Sequence, residues 1–373
     1  MRKAQDSSRT RYAIVLPPMA ASADLANGAA PRKDYLLLAE SLGALIIPAK
    51  GPVGRLPGAG LIAFLAQAWQ AFRRRGDYDV ALTMSEQVGL PLALLFKLAR
   101  CRKPHVMISH YMTPTRKSIF FRLFRVHSHI AKIICYGSAQ ASFLTDALGV
   151  PADKVEMVYH GADSLFWRPA PSAPERLILS AGNGARDYRT LLEAVDADLG
   201  VEVVIAAFSP WVSGGQDYPI EQVPNNVTFA RSSPEELRDL YARCLFAVVP
   251  LVPVNSQYGT LVTYEAMAMG KAVVTTANGG NVDAVRDGET GWYVRPGDAG
   301  ALRCVIARLL GDPDEAARMG RRARELVEQG LNLDAYVEKV TEITCQAAAA
   351  MANPPAEAAA RQKSAKERAE RAS

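Results

Sequence analysis

Glu265 is the residue whose position most suggests chemistry. It falls about one turn inside a helical pattern set by Leu261, Val262, Ala266, Met267 and Met269, which Gly270 stops. Ahead of that pattern lies a loop with Pro253, Asn255, Ser256 and Gly259, and ahead of the loop an apolar run, residues 246–250, of the kind that forms a buried parallel strand. Residues 272–276 form a second β-branched strand, and Gly279 and Gly280 turn the chain again. A loop that feeds backbone N–H groups into a helix N-terminus binds an anion without any charged side chain. The first-turn amides have no intrahelical acceptor, and the helix dipole favours negative charge. A carboxylate one turn further on can accept from two neighbouring hydroxyls, such as those of a ribose. A phosphate site and a diol site a turn apart point to a nucleotide.

Other stretches carry compatible chemistry. After the apolar run 177–181 come Gly182, Asn183, Gly184, Ala185 and Arg186, a glycine loop with a cation that suits a diphosphate. The planar fork of Arg186 can grip two phosphate oxygens; the alternative is a local pair with Asp187. His110 ends the run 105–109, at a strand carboxyl end where ligand contacts collect, the alternative being a surface-loop histidine. Ser233, followed by Pro234 and by Glu236 at the third helical position, has the pattern of a helix cap. His127 and His129 stand apart from carboxylates and thiols and make no case for a metal.

The stretch Glu265-Ala266-Met267-Ala268, then Gly270, Lys271 and Val273-Val274, resembles the donor-binding motif of the retaining family 4 glycosyltransferases. Gly279-Gly280, Asp287-Gly288, Thr290-Gly291 and Pro296-Gly297-Asp298 follow in the order that family shows. The match is specific over residues 177–300 and looser over 105–170, while residues 11–100 add only a compatible pattern. The chain departs at Gln257, where the family has its first Glu, at Thr260, where it usually has Gly, and at His160, where Asn is commoner. The family's Gly-Arg pair and later Lys are replaced, with Asn183 in the first place and Arg186 as the substitute cation.

The resemblance implies a GT-B fold: two Rossmann-like domains facing each other across a cleft, with a C-terminal helix crossing back to the first. It implies that Glu265 holds the ribose, and that amides near Thr260, Leu261 and Val262 meet the diphosphate together with Arg186. Gln257 would bind sugar hydroxyls, His110 would face the sugar near its anomeric carbon, and backbone groups of Arg231, Ser232 and Ser233 would line the nucleobase. The implied activity is that of a hexosyltransferase-type enzyme. It would move a sugar from a nucleotide-sugar donor to a hydroxyl of a glycan, a lipid-linked acceptor or a small molecule, with retention. It would need no metal if Arg and helix amides carry the charge, with no Asp-x-Asp element expected for one, and no cofactor besides the nucleotide-sugar co-substrate. The alternative is a non-catalytic nucleotide-sugar-binding protein of the same fold, for which Gln257 and the missing Gly-Arg and Lys argue. A sugar epimerase is a third option.

The elements that must position these groups follow an α/β alternation. Strand candidates at 12–16, 45–47, 78–83, 105–109, 133–137 and 155–158 are separated by helical patterns at 36–42, 61–74, 90–99 and 139–148. The pattern repeats at 177–181, 201–207, 227–229, 246–250 and 272–276, with helices at 190–195, from 234, at 301–310, 315–329 and 333–345. Pro169, Pro171 and Pro174 mark a stiff linker. The expected divisions are an acceptor domain over 1–168, a nucleotide-sugar domain over 169–332, a returning helix over 333–346, and a low-complexity tail over 347–373 rich in Ala, Arg and Glu.

At 373 residues, 49% hydrophobic and 22% charged, the chain suits two packed enzyme domains. No apolar run is long enough to span a bilayer, and the N-terminus lacks the apolar centre of a signal peptide. Five scattered cysteines suit a reducing compartment, so the expected location is the cytoplasm. Net charge is +5, but residues 1–170 hold 22 Lys and Arg against 11 Asp and Glu, and the remainder is acidic. A basic first half favours an anionic partner, such as the inner face of a membrane, over nucleic acid, for which no aromatic-basic motif stands out. Arg116, Lys117, Arg122 and Arg125 interleave with Phe120, Phe121 and Phe124, a spacing for either an amphipathic membrane helix or a core helix with basic residues reaching out.

Overall fold

The computed structural model describes residues 10–18, 30–49, 59–110, 117–170, 173–207, 223–253, 257–278 and 283–352. The first sheet holds β1 (Tyr12–Val15), β2 (Leu45–Ile47), β3 (Val80–Thr83), β4 (His105–Ile108), β5 (Lys132–Cys135) and β6 (Val155–Met157), all parallel, in the order β2-β1-β3-β4-β5-β6. Its central strands are buried along their whole length, as expected when helices cover both faces. Those helices are α1 (Asp34–Leu42), α2 (Ala59–Arg73), α3 (Glu86–Leu98), α4 (Ser118–Arg122) and α5 (Ser138–Ser142).

The second sheet repeats the plan with β7 (Leu177–Ala181), β8 (Glu202–Ala206), β9 (Val227–Ala230), β10 (Phe246–Val249), β11 (Val273–Thr276) and β12 (Gly291–Val294), in the order β12-β11-β10-β7-β8-β9. Its helices are α6 (Tyr188–Ala194), α7 (Pro234–Arg243), α8 (Thr260–Ala268), α9 (Ala299–Gly311) and α10 (Pro313–Gln329). Two apolar cores sandwich this sheet. Tyr264, Ala266 and Met267 of α8 pack on one face, and Ile306 and Leu309 of α9 on the other.

The last helix, α11 (Leu333–Ala352), leaves the second domain. Its Leu333, Tyr336, Val340 and Ile343 join the core of the first, against Ile14, Leu38, Val106 and Ile134. A small hub fixes the crossing: Leu333 N donates to Ala162 O at 2.9 Å, and Arg32 bonds both Asp163 and Asp334.

The structure differs from the sequence expectations in four places. β12 went unrecognised because Trp292-Tyr293-Val294 is short and flanked by turns; its pairing with β11 alone identifies it. Helix α3 starts at Glu86 rather than 90, since Ser85 accepts from Gln87 N and the helix tolerates Pro91 inside it. Residues 117–125 do not make one amphipathic helix: α4 is five residues long, and Arg125 adopts a left-handed conformation, while Arg116 lies outside the described residues. Helix α11 runs to Ala352 and buries Ala347, so order continues into the Ala-rich stretch. Of the linker prolines, Pro171 lies outside the described residues.

Candidate active site

In the second sheet, neighbouring strands β7 and β10 mark the point where the chain reverses its direction of progress. In an open α/β sheet such a reversal point is where a crevice forms at the strand carboxyl ends. Both candidate loops leave from this point and are stitched together. Val252 N donates to Ala185 O and Asp187 N to Pro250 O, each at 3.0 Å. Gly182 and Ala185 take left-handed conformations that let the loop fold flat. Arg186 is buried and braces the loop from within, its Nε donating to Ala181 O and its Nη1 to Gly184 O, both at 2.8 Å. Asp187 does not serve as its partner; it caps α6 by accepting from Thr190 N and Thr190 Oγ1. Arg186 is thus a cation set into the floor of the crevice, with carbonyls turned inward around it. Asn183 lies on the same loop with its Oδ1 buried and without a hydrogen-bond partner among the described residues.

The facing wall is the start of α8. Its cap is Gly259, at φ 82°, and no side chain caps the helix. The amides of Thr260, Leu261 and Val262 therefore head a helix whose cap residue offers no side-chain acceptor. Tyr258 lies against Gly184, where a Cβ would come within 2.9 Å of its ring, so the two loops touch through a glycine. Thr260 Oγ1 donates to Gln257 Oε1 at 3.2 Å and orients that amide. Of the loop residues read from sequence, Asn255 and Ser256 lie outside the described residues.

Glu265 follows one turn into α8. Burial pushes its carboxyl up to about 8, and the charge of Arg186 opposes the rise. A carboxyl in such a place holds its proton at neutral pH until hydroxyl donors or further positive charge arrive. Ser233 is the N-cap of α7, with a reciprocal bond from Ser233 N to Glu236 Oε2 at 2.7 Å. The Arg231–Ser233 loop follows β9, the edge strand on the same side of the sheet as the glycine loop.

The first domain closes the other side. His110 leaves β4 with its N–H donating to Glu86 Oε2 at 3.0 Å and its Nε2 2.8 Å from Met84 O. A carbonyl can only accept, so Nε2 carries the proton and Nδ1 is the acceptor in the neutral ring. Glu86 is itself buried and paired with Lys117, which gives His110 a rigid base. Tyr136 packs edge-on to His110 and to His160, and its hydroxyl lies 3.1 Å from that of Tyr336 on α11.

Two contacts join the domains across the cleft. Ser138 N and Oγ donate to Asp283, at 2.8 and 2.9 Å to Oδ2. Gln257 extends to Gly137, where any Cβ would collide with its Nε2. Gly137 is in extended backbone, so room for Gln257, not backbone strain, is what calls for glycine there. Ser138, Asp283 and Gly137, with Glu86 and Tyr136, escaped the sequence reading, whereas Gln257 was read from it. Nothing local marks them, because their partners lie in the other domain or on a different strand.

Stretches with Asp-x-Asp spacing do occur, 196–198 and 312–314 among them, contrary to the expectation that the sequence holds none for a metal. The fold uses them elsewhere: Asp196 bonds Arg303 at 2.8 Å, and Asp312 caps α10. Among the described residues no three His, Cys, Asp or Glu side chains converge as a metal-binding group.

Comparison with known proteins agrees with this arrangement. Residues 27–164 match the family model described as Glycosyltransferase Family 4, and residues 220–326 the one described as Glycosyl transferases group 1. The chain is 31% identical over 217 residues to a D-inositol 3-phosphate glycosyltransferase of Nocardia farcinica, covering 52% of this chain and 48% of that protein. It thus spans about half the length of that relative. A GDP-mannose-dependent alpha-(1-6)-phosphatidylinositol monomannoside mannosyltransferase of Mycolicibacterium smegmatis is 27% identical, over 67% of this chain and 72% of its own. Among solved structures, sucrose-phosphate synthase from Thermosynechococcus elongatus superposes with a TM-score of 0.72 at 20% identity, covering 92% of this chain and all of the other. Anabaena Alr3699/HepE in complex with UDP-glucose gives a TM-score of 0.68 at 18% identity over 91% of this chain and all of that one. With one model on each domain, two six-stranded parallel sheets and a helix returning to the first, the chain belongs to glycosyltransferase family 4 and has its GT-B fold.

Proposed function

We propose that the protein is a retaining hexosyltransferase that moves a sugar from a nucleotide-sugar donor to an acceptor hydroxyl. The observation that carries this is Glu265: a proton-holding carboxyl one turn inside an uncapped helix, beside Arg186 and the glycine loop. A ribose diol would replace the missing solvent as hydrogen-bond donor to that carboxylate. The α8 amides and Arg186 would take the diphosphate, whose charge grows as the bond to the sugar breaks. HepE, of the same fold, is seen with UDP-glucose, which supports a donor of that class here.

In the reaction the acceptor oxygen attacks the anomeric carbon on the face the diphosphate leaves. The acceptor's proton passes to the departing phosphate oxygen, and configuration is retained. Gln257 is an amide and forms no glycosyl ester; it binds sugar hydroxyls, by which it affects donor choice. His110 offers Nδ1 to a sugar hydroxyl. The charge on the leaving group is met by Arg186 and helix amides without a metal. The acceptor enters from the first domain. Two relatives named for inositol phosphate and phosphatidylinositol mannoside acceptors, and the basic first half, favour an anionic or lipid-linked one. The site of action is the cytoplasm, at the inner membrane face.

A screen of nucleotide sugars for hydrolysis and transfer, with the product anomer assigned by NMR, tests this. Retained configuration and turnover undiminished by chelator are expected. Tight binding of a nucleotide sugar with no turnover of any donor would leave only a binding protein. Arg186→Ala is expected to weaken a nucleoside diphosphate more than the monophosphate, and equal losses would remove its role.

A further inference from the structure

Helix α2 leaves an apolar side uncovered. Gln67, Ala68, Ala71 and Phe72 are buried under the sheet-facing side, while Leu61, Ile62, Leu65 and Trp69 are exposed, Ile62 by 69%. Their spacing sets them on one stripe along the helix. Helices α2, α3 and α4 cover the same face of the first sheet, because the chain steps from β2 through β5 in one direction. On that face α3 ends at Leu98, 73% exposed, and Lys97 Nζ donates to Phe124 O at 2.6 Å, which fixes exposed Leu123 nearby.

The charge of this layer is one-sided. Its described residues, 59–110 and 117–131, hold 10 Lys and Arg against three Asp and Glu. All three acids are engaged: Asp77 with Arg74, Asp79 with Arg11, and Glu86 with Lys117. We propose that this face docks on an anionic lipid bilayer, with α2 lying in the interface and its arginines at the headgroups. Apolar side chains alone would fit many partners; apolar side chains beside arginines, as Trp69 is beside Arg73 and Arg74, fit a surface that is oily below and anionic above. Charge argues against the other occupants. A second copy would bring two basic faces together. Residues 353–373 hold five Lys and Arg against three Glu, so they carry the same sign.

The orientation has a consequence for the acceptor. Helix α2 follows the carboxyl end of β2, so its Leu61 end lies at the sheet edge that bears His110 and Gly137. A bilayer on the stripe would present headgroup hydroxyls at the mouth of the cleft while their tails stay in lipid, which makes a membrane-embedded amphiphile the acceptor. This last step depends on the transferase reading, whereas the docking does not.

The test uses the full chain with phosphatidylcholine vesicles, with and without phosphatidylglycerol, in co-sedimentation. Binding is expected only to the anionic vesicles and should fall as salt is raised. Leu65→Ser with Trp69→Ser should reduce it by roughly tenfold or more, these being exposed positions whose loss leaves the core intact. Arg73→Glu should do the same, and thermal unfolding should not move in either variant. Brominated lipid should quench wild-type fluorescence more than that of Trp69→Phe. Absence of anionic-vesicle binding, binding indifferent to salt, or binding unchanged in both variants would overturn the docking. So would self-association abolished by Leu65→Ser. Vesicle binding with no turnover of any donor would sink the transferase reading alone.

Discussion

Glu265 and Gly137 show how single residues set the chemistry here. With its carboxyl near 8 in the free protein, Glu265 is mostly protonated at pH 7, and a ribose diol prefers the ionised form. Binding a nucleoside diphosphate should therefore release a proton at pH 7, and affinity should rise with pH until about 8 and then level. Titration calorimetry in buffers of different ionisation enthalpy reads this directly. Glu265→Gln should abolish the proton release and weaken binding by about 1.5–3 kcal/mol; unchanged release would assign the proton elsewhere. The folding linkage has the matching sign. A carboxyl raised above its unfolded value of 4.5 makes this group's contribution to stability fall as pH climbs from there towards 8. Across the cleft, Gly137→Ala would push aside the far end of Gln257, a flexible side chain, so the fold should hold. Turnover should drop by about tenfold to a hundredfold from the misplaced amide, with the melting temperature little changed. A variant with full turnover would show that Gln257 does not act from that position.

At the scale of elements, the starts of helices α7 and α8 differ in kind. Helix α7 is capped by the Ser233–Glu236 box, so Ser233→Ala should cost about 1 kcal/mol. Because the resemblance gives that loop a role through its backbone, nucleotide affinity should stay the same; a large loss would assign the hydroxyl to the ligand. Helix α8 has only Gly259, left-handed, with Val249 and Leu251 carbons within 3.0–3.2 Å of where a Cβ would stand. Gly259→Ala should destabilise by about 1–2 kcal/mol from backbone strain alone and should also weaken the nucleotide, because the amides it aims would turn. Chemical denaturation and calorimetry on the two variants separate cap from site.

For the whole molecule, Arg32 holds a position no single element explains. It bonds Asp163, in the connection between domains, and Asp334, at the start of α11. Burial alone would raise the Asp163 carboxyl, but the Arg32 hydrogen bonds and charge outweigh it and hold it below its usual value. Stability from this carboxylate is therefore present above its unfolded value of 3.8 and is lost as pH falls through the folded value. Arg32→Ala should destabilise by about 1.5–3 kcal/mol at neutral pH, with the gap to wild type narrowing in acid. Urea unfolding at several pH values measures both, and a constant gap would exclude the Asp163 linkage. Since Asp334 begins the returning helix, looser docking of α11 on the first domain should accompany the loss.

Sequence alone carried the strand–helix alternation, the two-domain plan and the strand–loop–helix around Glu265. Apolar periodicity, glycine stops and cap residues are local, and the fold needs little else to choose buried parallel strands. It also showed that the first half is basic. Tertiary structure decided the rest, because the deciding partners are far apart in the chain. Arg186 proves to be a brace under its own loop, β12 exists only by pairing with β11, Gly137 is explained by Gln257 of the other domain, and exposed apolar side chains fall on α2 as well as at Ile119, Leu123 and Phe124. A pattern within one segment says which side chains prefer burial; only the packed molecule says which of them find a neighbour.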